Sequence, residues 1–245
     1  MRTSRTALWA AALSLAGLVA TGFIALSLPA GRAFDATTLH GFVGLDRPIV
    51  DPLLQLVIQV GNPVIYTLLG ALIVRVALKR RQRRLAVAIV AILAGSVASA
   101  EVLKVLLAGL RPDVWLTPDW SLGADSWPSG HATAAMSLSM CAIMVSPPAR
   151  RQLTAAAGAA LTIVVSFALV SAGGHLPSDV VGAFFVSALW TALALAVLWR
   201  DQEVMAPGTW GSFMKSALPP FAVTWGMAGA LVLAVAVARP ETVAA

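Results

Sequence analysis

The chain has 245 residues, of which 59% are hydrophobic and only 11% charged, against about 45–50% and about 25% in soluble globular proteins; with a mean hydropathy of +0.85, this excludes a soluble enzyme, a disordered chain and a disulfide scaffold. Cys141 is the single cysteine and cannot close an internal disulfide, and with three His in all, a dedicated transition-metal site is not expected. The formal charge of +6 is gathered in short clusters between apolar stretches, which is how membrane topology is written, so nucleic acid is not the expected partner.

A hydrocarbon layer about 30 Å thick takes roughly 20 apolar residues per spanning helix. Seven such stretches are bounded by charge or proline: 7–28, 53–78, 85–110, 128–146, 153–172, 180–199 and 217–238. The expected fold is therefore an all-α polytopic transmembrane helix bundle, a six-helix core plus a seventh, C-terminal helix. Its expected divisions are 1–52 (first transmembrane helix and outer loop), 53–200 (the core) and 201–245 (cytoplasmic linker and last helix). The apolar run of the first span exceeds the 7–15 residues usual in a cleaved signal peptide, so it is expected to stay as a membrane helix. Twelve of the seventeen cations fall on one face: Arg2, Arg5, Arg75, Lys79, Arg80, Arg81, Arg83, Arg84, Arg150, Arg151, Arg200 and Lys215. The positive-inside rule makes that face the cytoplasm. Residues 34–51, 111–127 and 173–179 are then outer loops.

Three sets of unusual residues gather on that outer side, and polar groups at membrane depth are a functional hypothesis by default. In Lys104-Val-Leu-Leu-Ala-Gly-Leu-Arg111-Pro112 the two cations are seven residues apart, nearly two whole turns with a drift of about 20°. They share a helix face, with Lys104 about 10 Å deeper. Like charges so placed repel unless an anion joins them; the alternative is a Lys104 pair with Glu101 one turn away and an Arg111 that reaches the surface.

Pro128-Ser129-Gly130-His131 opens the fourth span. It reads either as an ordinary helix cap or as an anion site built on a helix amino terminus, with His131 poised beside it. In His175-Leu-Pro-Ser-Asp179 the carboxylate lies four residues after the imidazole. It can fix the tautomer and leave the other ring nitrogen to attack, or the pair can be a plain capping arrangement. Together the three sets supply two cations, an anion-binding helix terminus, a nucleophile and an acid.

These motifs and their order resemble the type-2 phosphatidic acid phosphatase superfamily of membrane lipid phosphatases. The first two motifs are complete at Lys104, Arg111 and Pro112 and at Pro128 to His131. The third keeps His175 and Asp179, but six residues before His175 the family has Arg and this chain has Leu169, preceded by Ala168 in place of Ser. The resemblance implies a phosphatase core and a two-step phosphoryl transfer without metal or other cofactor. His175 attacks phosphorus and Asp179 orients it; His131 protonates the leaving oxygen and then activates water. Lys104, Arg111 and the backbone N–H groups of Ser129 and Gly130 cradle the phosphoryl oxygens. The departure at Leu169 leaves open a phosphotransferase using the same His pair, or a weakened lipid-phosphate binder.

The expected partners are the bilayer and a membrane lipid phosphate. Undecaprenyl diphosphate, phosphatidylglycerol phosphate, phosphatidic acid and the lipid A 1-phosphate, in the outer leaflet of a bacterial plasma membrane, fit equally. Trp115, Trp120 and Trp127 lie in the loop beside the site and are expected at the membrane interface as anchors or as a lid. The sequence does not fix an oligomeric state.

Overall fold

A computed structural model of the chain describes residues 2–43, 51–117 and 120–200. Its helices are α1 (Arg2–Ser27), α2 (Pro29–Val43), α3 (Asp51–Ile58), α4 (Pro63–Lys79), α5 (Arg83–Leu107), α6 (Gly130–Val145), α7 (Arg151–Ser171) and α8 (Pro177–Arg200). Between α5 and α6 a small antiparallel hairpin joins β1 (Val114–Thr117) to β2 (Trp120–Leu122). Among the described residues four stretches are long and apolar enough to cross a bilayer, Arg5–Ser27, Arg83–Leu110, Pro148–Ser171 and Pro177–Leu198. Large apolar side chains on their outer surfaces are open, among them Leu13 at 69%, Val87 at 70% and Leu153 at 73%, a pattern a soluble monomer does not sustain. The protein is a multi-pass helical membrane protein. The seventh expected span and the 201–245 division lie outside the described residues.

The second expected span is broken. Gly61-Asn62-Pro63 interrupts it, and α3 and α4 meet at a bend of 61°. Pro63 offers no N–H and forces the residue before it out of the helical region. Asn62 is extended (φ −60°, ψ 132°), and its side chain accepts from the Val64 N–H at 3.0 Å, capping α4. The Asn-Pro dipeptide was the available sign of this turn.

Residues 34–51 were expected as a loop, yet they are helical as far as Val43. The buried positions of α2 include Asp35, Thr38, Leu39 and Phe42, spaced i, i+3, i+4, i+7 as on the packed face of an amphipathic helix. Two of the four are polar, which hid the period in the sequence.

Helix α6 is enclosed on most sides, touching α4, α5, α7 and α8. Small residues allow it. Ala132, Ala134, Ala135, Thr133 and Ser137 are each at most 2% exposed, the small-residue packing that membrane helices use to approach one another. Its hydroxyls stay satisfied inside the bundle: Thr133 donates to the Ser129 carbonyl at 2.7 Å and Ser139 to the Ala135 carbonyl at 2.7 Å. Tyr66 of α4 donates to the Leu93 carbonyl of α5 at 2.9 Å and meets Ser137 of α6 at 3.1 Å. At the basic end, Arg80 donates to the carbonyl of Val145, holding the last turn of α6. The motif residues occupy the opposite end.

Candidate active site

The amino terminus of α8 organises the site. Pro177 is the first residue of the helix, where its missing N–H is no loss. Asp179 reaches back past Pro177, accepting from the Leu176 N–H at 2.9 Å through Oδ2, the acceptor half of a capping box. The same Oδ2 meets His175 Nδ1 at 3.3 Å. Its other oxygen accepts from Arg111 Nη1 at 3.1 Å, with the Arg111 and Asp179 side chains 3% and 0% exposed. One carboxylate thus joins the first and third motifs.

Arg111 reaches Asp179 by a route the helical spacing did not foresee. The α-helix of span three ends at Leu107 and tightens into a 3₁₀ turn over Ala108–Leu110; Arg111 itself is extended (φ −131°, ψ 137°). The seven-residue stripe shared with Lys104 therefore does not form. A second guanidinium nitrogen donates to Ser126 Oγ, so the fork is partly committed before any ligand arrives.

Lys104 pairs with Glu101, Nζ to Oε1 at 2.8 Å. Both head groups lie against Gly130: a Cβ on that glycine would stand 3.0 Å from Glu101 Oε1 and 3.2 Å from Lys104 Nζ. Glycine is what lets the pair rest on the start of α6. His131 follows, half-buried, within electrostatic reach of His175, Lys104 and Glu101. Its ring packs on Gly61, where a Cβ would fall 2.3 Å from Cδ2. The break between α3 and α4 is thus what seats this imidazole.

Ser129 has a different part from the one its sequence suggested. Its N–H donates to the Asp179 carbonyl at 3.0 Å, and its fully buried hydroxyl caps α6 by accepting from the Ala132 N–H at 3.2 Å. It ties the second motif to the third and does not turn that N–H toward an anion. Gly130 opens the helix, where the first N–H groups have no partner within it.

Two residues lie outside the expected roles. Trp127, expected at the membrane interface, is 3% exposed and packs with Leu18, Ala25, Leu26 and Val186; Gly22 and Gly182 make room for its ring. Leu169, where the resembling family has Arg, is 4% exposed in an apolar cluster with Leu39, Phe42, Ala132 and Leu176. Helix α2 covers that place with hydrocarbon.

Sequence reasoning missed Asp35. It is 3% exposed and accepts from the Ser178 N–H at 3.1 Å and from the Ser178 hydroxyl. It clamps α2 to the residue before Asp179. The only sign in the sequence was an acid on the packed face of a short helix. Burial raises its carboxyl from 3.8 to about 6, and the neighbouring Asp179 charge adds to this, while the Ser178 bonds and Arg111 oppose it.

Folding thus favours the neutral form. The stability this gives is complete below about pH 3.8 and is lost as pH rises through about 6. Asp35→Asn keeps an oxygen for the Ser178 N–H and stays neutral. It is expected to melt above the wild type at pH 8, by the equivalent of up to about 3 kcal/mol, and to match it near pH 4. Melting curves in detergent across that range check this; a lower melting temperature at pH 8 would mean that the charged carboxylate is the favoured form.

The fold and the motif-bearing stretch resemble known proteins. No curated protein sequence matches the chain. A solved structure, the crystal structure of a transmembrane PAP2-type phosphatidylglycerolphosphate phosphatase from Bacillus subtilis, shares its fold with a TM-score of 0.63. That match is 18% identical and covers 84% of this chain and 100% of the other. The PAP2 superfamily model matches residues 85–203, the stretch that carries all three motifs.

Proposed function

We propose that this protein hydrolyses a lipid phosphate or diphosphate at the outer face of the membrane, through a phosphohistidine and without metal. One observation carries the reading: the Asp179 carboxylate holds His175 Nδ1 and the Arg111 guanidinium together, beside His131 and Lys104. With its Nδ1 turned to a carboxylate, His175 presents Nε2 as the nucleophile. Nε2 attacks phosphorus, the bond to the lipid oxygen breaks, and that oxygen takes a proton from His131. His131 then accepts a proton from water, whose oxygen displaces His175 and releases phosphate. Lys104, Arg111 and the Gly130 end of α6 face the charge on the phosphoryl oxygens. The solved neighbour is a phosphatidylglycerolphosphate phosphatase, which supports a lipid phosphate as the substrate class.

The buried Leu169 favours one second reading, a lipid-phosphate binder with little turnover, because no donor occupies that position. Phosphate release by the detergent-purified protein separates the two. The panel is undecaprenyl diphosphate, phosphatidylglycerol phosphate, phosphatidic acid and lipid A 1-phosphate, assayed in EDTA. Release of inorganic phosphate from at least one lipid is expected, undiminished by EDTA. Tight binding with no release would give the binder; loss of phosphate from the lipid only with an added acceptor, the phosphate being recovered on that acceptor, would give a transferase.

A further inference from the structure

Helix α2 forms one wall of a cleft of about 320 Å³. Arg32, Ala33, Ala36 and His40 face it, one side of the helix, and the segment from Arg111 to Val114 forms the other wall above Leu176. At about 30 Å³ per water, the space takes roughly ten waters, enough for a phosphate-sized group with part of its hydration.

The charges around the cleft are unevenly committed. Each nearby acid turns elsewhere: Asp35 to Ser178, Asp113 to the Ala124 N–H at 3.0 Å, and Asp179 to His175 and Arg111. Among the described residues neither Arg32 nor His40 has an ion-pair partner. Arg111 belongs to both compartments. It reaches Asp179 on the histidine side and lines the cleft on the other. A guanidinium carries five donors and uses few of them here.

We propose that this cleft is a second anion subsite, in which Arg32, His40 and the outer edge of Arg111 hold the second phosphate of a lipid diphosphate whose terminal phosphate lies at His175. The proposal rests on the phosphatase reading and adds a substrate preference to it. Helix α2 thereby gains a functional role, since Asp35 fastens the helix to the α8 terminus and the helix presents Arg32 and His40 to the cleft that Arg111 shares. Arg suits this place because its planar fork binds two phosphate oxygens at once.

The test measures kcat/KM for a polyprenyl diphosphate and for the monophosphate of the same chain, in wild type, Arg32→Gln, Arg32→Lys and His40→Gln. A second arm measures inhibition of monophosphate hydrolysis by inorganic phosphate. The wild type is expected to prefer the diphosphate. Arg32→Gln is expected to lower the diphosphate-to-monophosphate ratio by about ten- to a hundredfold, the worth of one or more charged hydrogen bonds. Arg32→Lys is expected to restore part of it, and His40→Gln to lower the ratio less. A ratio unchanged within twofold in Arg32→Gln would overturn the proposal. Weaker inhibition by inorganic phosphate in that variant, with the ratio unchanged, would assign the cleft to a separate anion and overturn it equally. Absence of phosphate release from both lipids in the wild type would instead remove the phosphatase reading beneath it.

Discussion

His175→Ala is expected to abolish phosphate release, with kcat falling on the order of 10⁴-fold or more, the scale seen when a covalent nucleophile is removed. The variant should fold. His175 is a half-buried residue in a turn, and its loss leaves the Asp179 bonds to Leu176 and Arg111 intact. A brief exposure to lipid carrying labelled phosphate should leave acid-labile label on the wild type and none on His175→Ala. His131→Ala should behave differently. It removes the group that both protonates the leaving oxygen and activates water, so a substrate with a good leaving group, which needs no proton, should still label the protein and then release phosphate slowly. Accumulated label in His131→Ala beside an unlabelled His175→Ala would assign the two roles. Wild-type label with undiminished turnover in His175→Ala would exclude His175 as the nucleophile.

The residues of this site were more legible in the sequence than the structure that aligns them. The His175 and Asp179 contact was readable because a spacing of four in one short segment brings the groups together whatever the rest of the fold does. Lys104 with Glu101 was readable for the same reason, at a spacing of three. Arg111 with Asp179 was not, since 68 residues separate them and helical periodicity aimed the arginine along span three. The 3₁₀ turn before Arg111 and its extended backbone overrode that period. Likewise the hydrophobic count placed span two correctly along the chain, but the count is indifferent to the 61° bend at Gly61-Asn62-Pro63 that seats His131. Helix α2 was lost because polar Asp35 and Thr38 share its packed face, and a search for apolar stretches passes over a face that is satisfied by hydrogen bonds. The same search took Trp127 for an interface residue, although glycines at positions 22 and 182 had cleared a place for it in the interior.

The buried pair between Arg111 and Asp179 should dominate the stability of the motif end. Both side chains are almost wholly withdrawn from solvent, and removing one partner leaves an uncompensated buried charge, at a cost of about 3–5 kcal/mol. Asp179→Ala should suffer this in full, because it also strips the acceptor from the Leu176 N–H and from His175. Replacing both partners by apolar residues of similar volume, Arg111→Met with Asp179→Leu, should destabilise less than Asp179→Ala alone, since no lone charge remains. Asp179→Asn separates catalysis from stability. Its amide keeps the shape and one acceptor, so it should unfold later than Asp179→Ala. Its amide group, however, no longer selects the tautomer that leaves Nε2 of His175 unprotonated, and kcat should fall on the order of 10⁴-fold. Denaturant titration in detergent together with kcat for wild type and these three variants reads both quantities. If Asp179→Ala lost less than about 1 kcal/mol, within the range of an exposed pair, water must reach the Arg111 guanidinium, and Asp179 would be left with the orientation of His175 as its main contribution.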